Sequence, residues 1–205
     1  SDWNMLRGPA SKFASGVSGR EISIDGDLDV HLFSLTPSAV ANDVRVANPS
    51  WIDARDEPAD MARIGRVAAS VKLLDLLIGR VTLTNLEFDG PRVALYRRAD
   101  GRSNWSSQRD EPLKLPAIRN FTLRDGEIRL TDEKRNMRLV ADFSSQERGA
   151  RDDVFQLSGN GQINGQPFAL AINGASLLNV DRSRPYPFSA DIRAGDTRIR
   201  ARGSV

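Results

Sequence analysis

The side chains able to do chemistry are few in this chain. His31 is the only histidine, and it follows Asp27 and Asp29 at alternate positions. Such a group could form a general base or part of a metal site. Asp25, Asp27 and Asp29 also imitate the opening of a calcium loop. That loop needs a glycine at its sixth position and an acidic residue at its twelfth; Val30 and Thr36 stand there instead. The same three acids are the outer face of one strand, and His31 is expected to be exposed beside them. Gly159-Asn160-Gly161 resembles a phosphate loop, but no helical segment follows it. Asn104-Trp105-Ser106 and Asn120-Phe121-Thr122 fit the glycosylation sequon, and Asn120 also opens a strand. No Ser-His-Asp set can be assembled around a single exposed histidine. With no cysteine, neither a disulfide nor a thiolate metal site can form. A pair of carboxylates brought together by strands is the enzymatic route left open. We therefore expect a protein that is not an enzyme, with no cofactor.

The segments that hold these residues repeat. Asn85–Leu95 and Asn120–Leu130 carry apolar residues at the same offsets from their Asn. Leu86 matches Phe121, Phe88 matches Leu123, Val93 matches Ile128 and Leu95 matches Leu130. Between the apolar pairs lies Gly90-Pro91 in one copy and Asp125-Gly126 in the other. Read as two-residue turns, these give two hairpins, at 80–97 and 118–131. Arg124 then opposes Glu127, Asp89 opposes Arg92, and all four apolar residues of each copy share a face. A turn at Asn164-Gly165 places Phe168, Leu170 and Ile172 on the face of Phe155, Leu157 and Ile163. A turn at Gly195-Asp196 sets Ile192 against Ile199. Gly159 and Gly161 fall opposite Leu170 and Phe168, which leaves room for a neighbouring side chain or a bound acyl chain, or else marks a bulge or bend in a curved sheet. Asp25-Gly26 differs: Ile22, Ile24, Leu28, Val30 and Leu32 keep one parity through it, so one strand bent at Gly26 is expected.

Residues 3–17 read as an amphipathic helix, with Trp3, Leu6, Ala10, Phe13, Ala14 and Val17 at steps of three and four. Pro9 would have to lie in its first turn, and Gly19 would end it. A short helix is expected at Leu73–Ile78, closed by Gly79. Strands are expected at about 21–33, around Val44 and Val46, at Arg63–Lys72, and through Met137–Phe143. Ala99–Leu115 reads as a linker, and Gln146–Asp153 and Asn179–Pro187 as loops. The expected fold is mainly β: a curved antiparallel meander of about ten strands built from hairpins, with an N-terminal helix and one short helix. Residues 1–105 and 106–205 would form one continuous sheet.

Length and composition fit this. At 205 residues a sizeable core is possible, and with 6% aromatics it is mostly aliphatic. Lys and Arg total 29 against 27 Asp and Glu, and the arginines alternate with apolar residues. That is the solvated side of a sheet, and no nucleic-acid partner is expected. No run approaches the roughly 20 apolar residues of a membrane span. The start at Ser1-Asp2-Trp3 suggests a piece of a longer chain without its targeting segment.

Several of these pieces occur in a familiar series: Asp2-Trp3-Asn4, Gly19-Arg20, Ile24-Asp25-Gly26-Asp27-Leu28, Val44-Arg45-Val46-Ala47-Asn48-Pro49, Leu83–Val93 and Ala99–Trp105. Over about residues 2–105 the chain resembles the N-terminal region of the AsmA family; from 106 onward the resemblance rests on the hairpin style. It implies a protein of Gram-negative bacteria, anchored in the inner membrane by one N-terminal helix just before Ser1, with the rest in the periplasm. It also implies similarity to bridge-like lipid transfer proteins, whose curved sheet forms a groove for phospholipid acyl chains, and a link to outer-membrane biogenesis and lipid homeostasis. The lipid-facing positions would be Ile22, Ile24, Leu28, Val30, Leu86, Phe88, Val93, Leu95, Phe121, Leu123, Ile128 and Leu130. An envelope protein is a further possible partner. An apolar strip several strands wide needs a cover, at about 25 cal/mol per Å². A closed sandwich or barrel would supply one, and an open groove holding lipid another. The other class of function is a lipid-free assembly scaffold that binds envelope proteins through its sheet edges.

Overall fold

Trp3–Leu6 form a 3-10 turn that runs into helix α1, Arg7–Ser18. Pro9 sits in the first turn, where its missing N–H costs no bond. Gly19 ends the helix in the left-handed region at φ 70°, its N–H bonded to Ser15 O at 2.9 Å. Ala10 packs inward, whereas Phe13 is 68% exposed, so the apolar stripe is narrower than the sequence period suggests. The structure is a computed structural model and describes residues 3–53, 58–106, 116–148, 154–177 and 185–204.

All strands join one mixed sheet that does not close on itself. In chain order they are β1 Ile22–Ile24, β2 Leu28–His31, β3 Ser38–Ala47 and β4 Asp60–Val71. After the short helix α2, Leu73–Leu77, come β5 Thr82–Asp89, β6 Arg92–Arg97, β7 Ala117–Asp132 and β8 Met137–Arg148. The last are β9 Phe155–Ile163, β10 Gln166–Gly174, β11 Pro187–Ala194 and β12 Thr197–Ser204. β1 and β2 both pair with β3, as expected for a strand bent at Gly26. The helix at 73–77 followed by Gly79 also stands as expected. The loop expectations at 149–153 and 179–184, and 107–115 of the linker, lie outside the described residues. Gln146–Arg148, expected in a loop, belong to β8.

The repeated units are not hairpins. β5 and β6 lie end to end and pair with the same strands. Both run antiparallel to β4, through Phe88 with Val67 and Val93 with Ala62. Both run parallel to β7, through Asn85 with Asn120 and Leu95 with Leu130. The two copies of the repeat thus lie side by side, one residue against its equivalent. β7 passes straight through Asp125-Gly126. Leu123 opposes Ser145 of β8 and Gly126 opposes Phe143, so three steps on β7 match two on β8. That is a β-bulge, with Asp125 at φ 54°. Gly90 takes the same place in the first copy, at φ 63°, and donates its N–H to Arg124 O at 2.9 Å.

Asp43 in β3, at φ 51°, extends this line of irregularities. Its carbonyl accepts Asp25 N–H at 2.9 Å, and Asn42 O accepts Gly26 N–H at 3.1 Å. At Gly26 a Cβ would sit 2.8 Å from Asn42 O, so the close approach there requires glycine. A bulge adds one residue and so resets the parity. Leu123, Gly126, Ile128 and Leu130 therefore stay on one face, the result a hairpin would have given.

The remaining hairpins have the expected register. Asn164 and Gly165, at φ 50° and 77°, make the tight turn between β9 and β10. Gly159 opposes Leu170 and Gly161 opposes Phe168. Ile192 opposes Ile199 across the last turn.

Candidate functional site

One sheet face is mostly apolar, and β8 places Ser145 and Glu147 on it, opposite Leu123 and Phe121. Under α1, Leu28, Ala41 and Val44 are buried, with Ala10, Ile22, Ile24, Val30, Ile64 and Val67 packed on them. Further along, Phe88 meets Phe121 edge-on, with centroids 5.6 Å apart. Phe121, Leu123, Leu139 and Ala141 are buried within the sheet's own side-chain layer. The face continues through Phe155 and Leu157 of β9, Phe168, Leu170 and Ile172 of β10, and Ile192 with Ile199. α1 contacts β1, and the 3-10 turn contacts β2. From β5 to β12 the main element contacts among the described residues are those between neighbouring strands. Most of the apolar side chains there are half-buried.

The other face carries charge in pairs. Arg66 Nη1 donates to Asp89 Oδ2 at 3.0 Å and to Glu87 Oε2 at 3.3 Å; Arg124 Nη1 donates to Asp89 Oδ1 at 3.1 Å. Arg129 Nε donates to Glu127 Oε1 at 2.9 Å, and this bond holds the Glu127 carboxyl below its ordinary range. Arg198 Nε donates to Asp191 Oδ1 at 3.1 Å, with the same effect on Asp191. The expected pairs within each repeat, Asp89 with Arg92 and Arg124 with Glu127, do not form. With no hairpin turn, Arg92 reaches Glu127 of the next strand, at 3.8 Å, and Asp89 reaches Arg124. A concavity of about 890 Å³ lies on this charged face over the β7 bulge, lined by Arg92, Asp125, Glu127, Asp142, Gln156 and Ser158 among others.

The twelve expected lipid-facing residues share the apolar face but meet different surroundings. Ile22, Ile24, Leu28 and Val30 lie in the cluster that Ala10 of α1 packs against. Leu86, Phe88, Val93, Leu95, Phe121, Leu123, Ile128 and Leu130 lie on β5 to β7, outside that cluster. The room at Gly159 and Gly161 is taken by neighbouring residues of the sheet, the side-chain alternative, and not by space for an acyl chain. A Cβ at Gly161 would fall 2.7 Å from the Phe168 ring, and one at Gly159 2.6 Å from Ala141.

The acids of the first strand do not converge. Asp25 Oδ2 pairs with Arg45 Nε at 2.7 Å, while Asp27 Oδ1 accepts from Asn4 Nδ2 at 3.3 Å. His31 ends β2 and is exposed. Among the described residues no group of three or more His, Cys, Asp or Glu could hold a metal ion.

Two buried polar residues escape sequence reasoning. Asn104 is 1% exposed. Its Oδ1 accepts Tyr96 N–H at 3.0 Å, and its Nδ2 donates to Ala94 O at 2.8 Å and Asn48 Oδ1 at 3.0 Å. The side chain of this sequon is a structural tie. Glu147, also 1% exposed, accepts from Ser176 Oγ at 2.9 Å and Ser145 Oγ at 3.3 Å, and from Leu177 N–H. Its parity with Leu139 and Ala141 in β8 was the available signal.

These features define a mainly β module in which an open mixed sheet has one apolar and one charged face and an N-terminal helix over its first strands. The AsmA family profile matches residues 1–111. The AsmA family protein YhjG of Escherichia coli (strain K12) is 26% identical over 243 aligned residues, covering 100% of this chain and 35% of that protein. The chain belongs to the AsmA family, and it spans 35% of the length of that relative. No solved structure gives a match. Among the described residues no helix is long and apolar enough to cross a membrane.

Proposed function

We propose that this chain is a non-enzymatic, membrane-proximal module that carries phospholipid acyl chains on the apolar face of its sheet. The observation behind the reading is the exposure left on that face among the described residues. α1 packs on the cluster of the first strands, and from β5 to β12 most apolar side chains stay half-buried beside their strand neighbours, with Ser176 and Leu177 reaching Glu147 of β8. Hydrocarbon is a cover that asks for no hydrogen bonds, and it suits a face with no convergent polar pocket. Family membership fits a role in the bacterial envelope. In this reading the whole protein is anchored to the inner membrane ahead of Ser1, faces the periplasm, and serves outer-membrane biogenesis and lipid homeostasis.

A lipid-free assembly scaffold that binds envelope proteins through its sheet edges is the other reading. Organic extraction and native mass spectrometry of the purified chain separate the two readings. Copurifying phospholipid with little headgroup preference supports lipid carriage. A lipid-free protein whose apolar face also captures no lipid in cells supports the scaffold.

A further inference from the structure

Two short segments meet at one end of the sheet, where β2 leads to β3 and β4 leads to β5. Val71 N–H bonds Pro37 O at 2.9 Å and Leu73 N–H bonds Leu35 O at 3.1 Å, which ties the loop after β2 to helix α2. Together they hold large apolar side chains in water. Phe33 is 102% exposed, Leu77 74%, Leu35 72%, Ile78 66%, Leu74 59% and Leu32 49%. Single exposed apolar residues are ordinary, but a cluster of this size marks a contact surface.

The chemistry of the tip selects its occupant. Part of its backbone is satisfied from within: Ser34 N–H bonds Leu32 O at 2.9 Å, Thr36 N–H bonds Ser34 Oγ at 3.0 Å, Lys72 N–H bonds Thr82 O at 3.0 Å, and Gly79 N–H bonds Leu76 O at 3.0 Å. The loop is a bend and not a strand, which suits the polar boundary of a bilayer, where water and headgroups still reach the backbone. Asp75 is the one acid in residues 31–36 and 72–81, and it is engaged by Thr82 Oγ1 at 2.6 Å and Lys72 at 3.6 Å. Lys72 and Arg80 flank the apolar residues. An apolar tip with a cationic border matches acyl chains below phosphate headgroups. The 3-10 turn packs on β2, the strand that leads to the tip, and Asn4 Oδ1 accepts Leu28 N–H there at 3.0 Å.

We propose that this end of the sheet inserts into the surface of a phospholipid bilayer, with Phe33 and Leu77 among the acyl chains and Lys72 and Arg80 at the phosphates. The inference deepens the membrane-proximal part of the proposed function and does not require the sheet to carry lipid.

The chain has no cysteine, so single dye-labelled positions report cleanly. A polarity-sensitive dye at Leu77→Cys should shift to the blue on vesicles of phosphatidylethanolamine and phosphatidylglycerol, and lipid-borne spin labels should quench it. The same dye at Gln166→Cys, at the opposite strand end, should do neither. Phe33→Asp with Leu77→Asp should weaken vesicle binding by about tenfold or more. Its circular dichroism and melting curve should match those of the parent, because both side chains are exposed. The proposal is overturned if the parent chain does not bind these vesicles, or if the doubly substituted chain binds equally well. A parent dimer that the two substitutions dissolve without changing vesicle affinity would also overturn it and would assign the tip to a second copy. Copurifying lipid is measured separately on both proteins, so loss of sheet-bound lipid and loss of membrane insertion are distinguishable.

Discussion

Asp89 Oδ1 stands 3.1 Å from Nη1 of Arg124, a residue 35 positions further on and the equivalent of Asp89 in the second copy of the repeat. The pair exists because β5–β6 and β7 run parallel and in step. It tests the topology directly. Cysteines at Glu87 and Thr122, which are partners across the parallel strands, should oxidise to an intramolecular disulfide. Cysteines at Asp89 and Arg92, on either side of Gly90-Pro91, should not. Peptide mapping after mild oxidation reads both. A disulfide in the second protein and none in the first would restore the hairpins.

The bulge in β7 makes separate demands on its two central residues. Asp125 is left-handed, so Asp125→Val should cost about 1–2 kcal/mol, while Asp125→Gly should be close to neutral. Gly126 is constrained by space. A Cβ there would lie 2.6 Å from the Phe143 ring. Gly126→Ala should cost roughly 1 kcal/mol or more, and adding Phe143→Leu should recover part of it. Urea melts of the single and double variants measure this. Additive effects at 126 and 143 would remove the ring contact as the cause.

The same bulge explains what could be read from the sequence. A two-residue turn and a one-residue bulge both return the chain to the same face. Phe121, Leu123, Ile128 and Leu130 are co-facial either way, so the apolar pattern reports the face and not the direction of the chain. At Asn164-Gly165 the residues on either side do reverse, and there the register was legible. At Asp25-Gly26 parity alone gave the bend. The tip was not legible: Leu32 continues the alternation of β2, but the strand stops at His31 and Leu32 turns to solvent. Asn104 and Glu147 were missed because a polar residue buried by contacts distant in sequence leaves little local mark.

Arg97 and Asp132 make the lower rim of the two copies sensitive to acid. Arg97 Nε donates to Asp132 Oδ1 at 3.0 Å, and its Nη2 donates to Oδ2. Asp132 also accepts Arg135 N–H at 3.1 Å. The Arg97 bonds, against a smaller opposing effect of burial, hold the Asp132 carboxyl below its ordinary 3.8. A depressed folded value means stabilisation present above that ordinary value and lost as pH falls through the folded one. Asp132→Asn should therefore melt at a lower temperature than the parent at pH 7. The gap should hold down to about pH 4 and close below it. A gap that stays constant to pH 2 would separate the pair from the acid response.

The last prediction places lipid on the sheet. Ile24 lies in the cluster packed by Ala10 of α1, while Leu95, Ile128, Ile172 and Ile192 lie outside it. If the apolar face carries acyl chains, photocrosslinkers at the latter four positions should capture phospholipid in cells expressing the whole protein. Capture at Ile24 should be weak, and it should rise when residues 3–17 are deleted, because the same face then opens. Arg129 and Asp142 project from the charged face and should capture little, even though the 890 Å³ concavity lies beside Asp142. Its lining is mixed but holds Arg92, Asp125, Glu127 and Asp142, and an acyl chain there would leave these carboxylates and the guanidinium group without water. Lipid captured at Asp142 and absent from Ile128 would move the binding surface to that concavity and overturn the assignment of the apolar face.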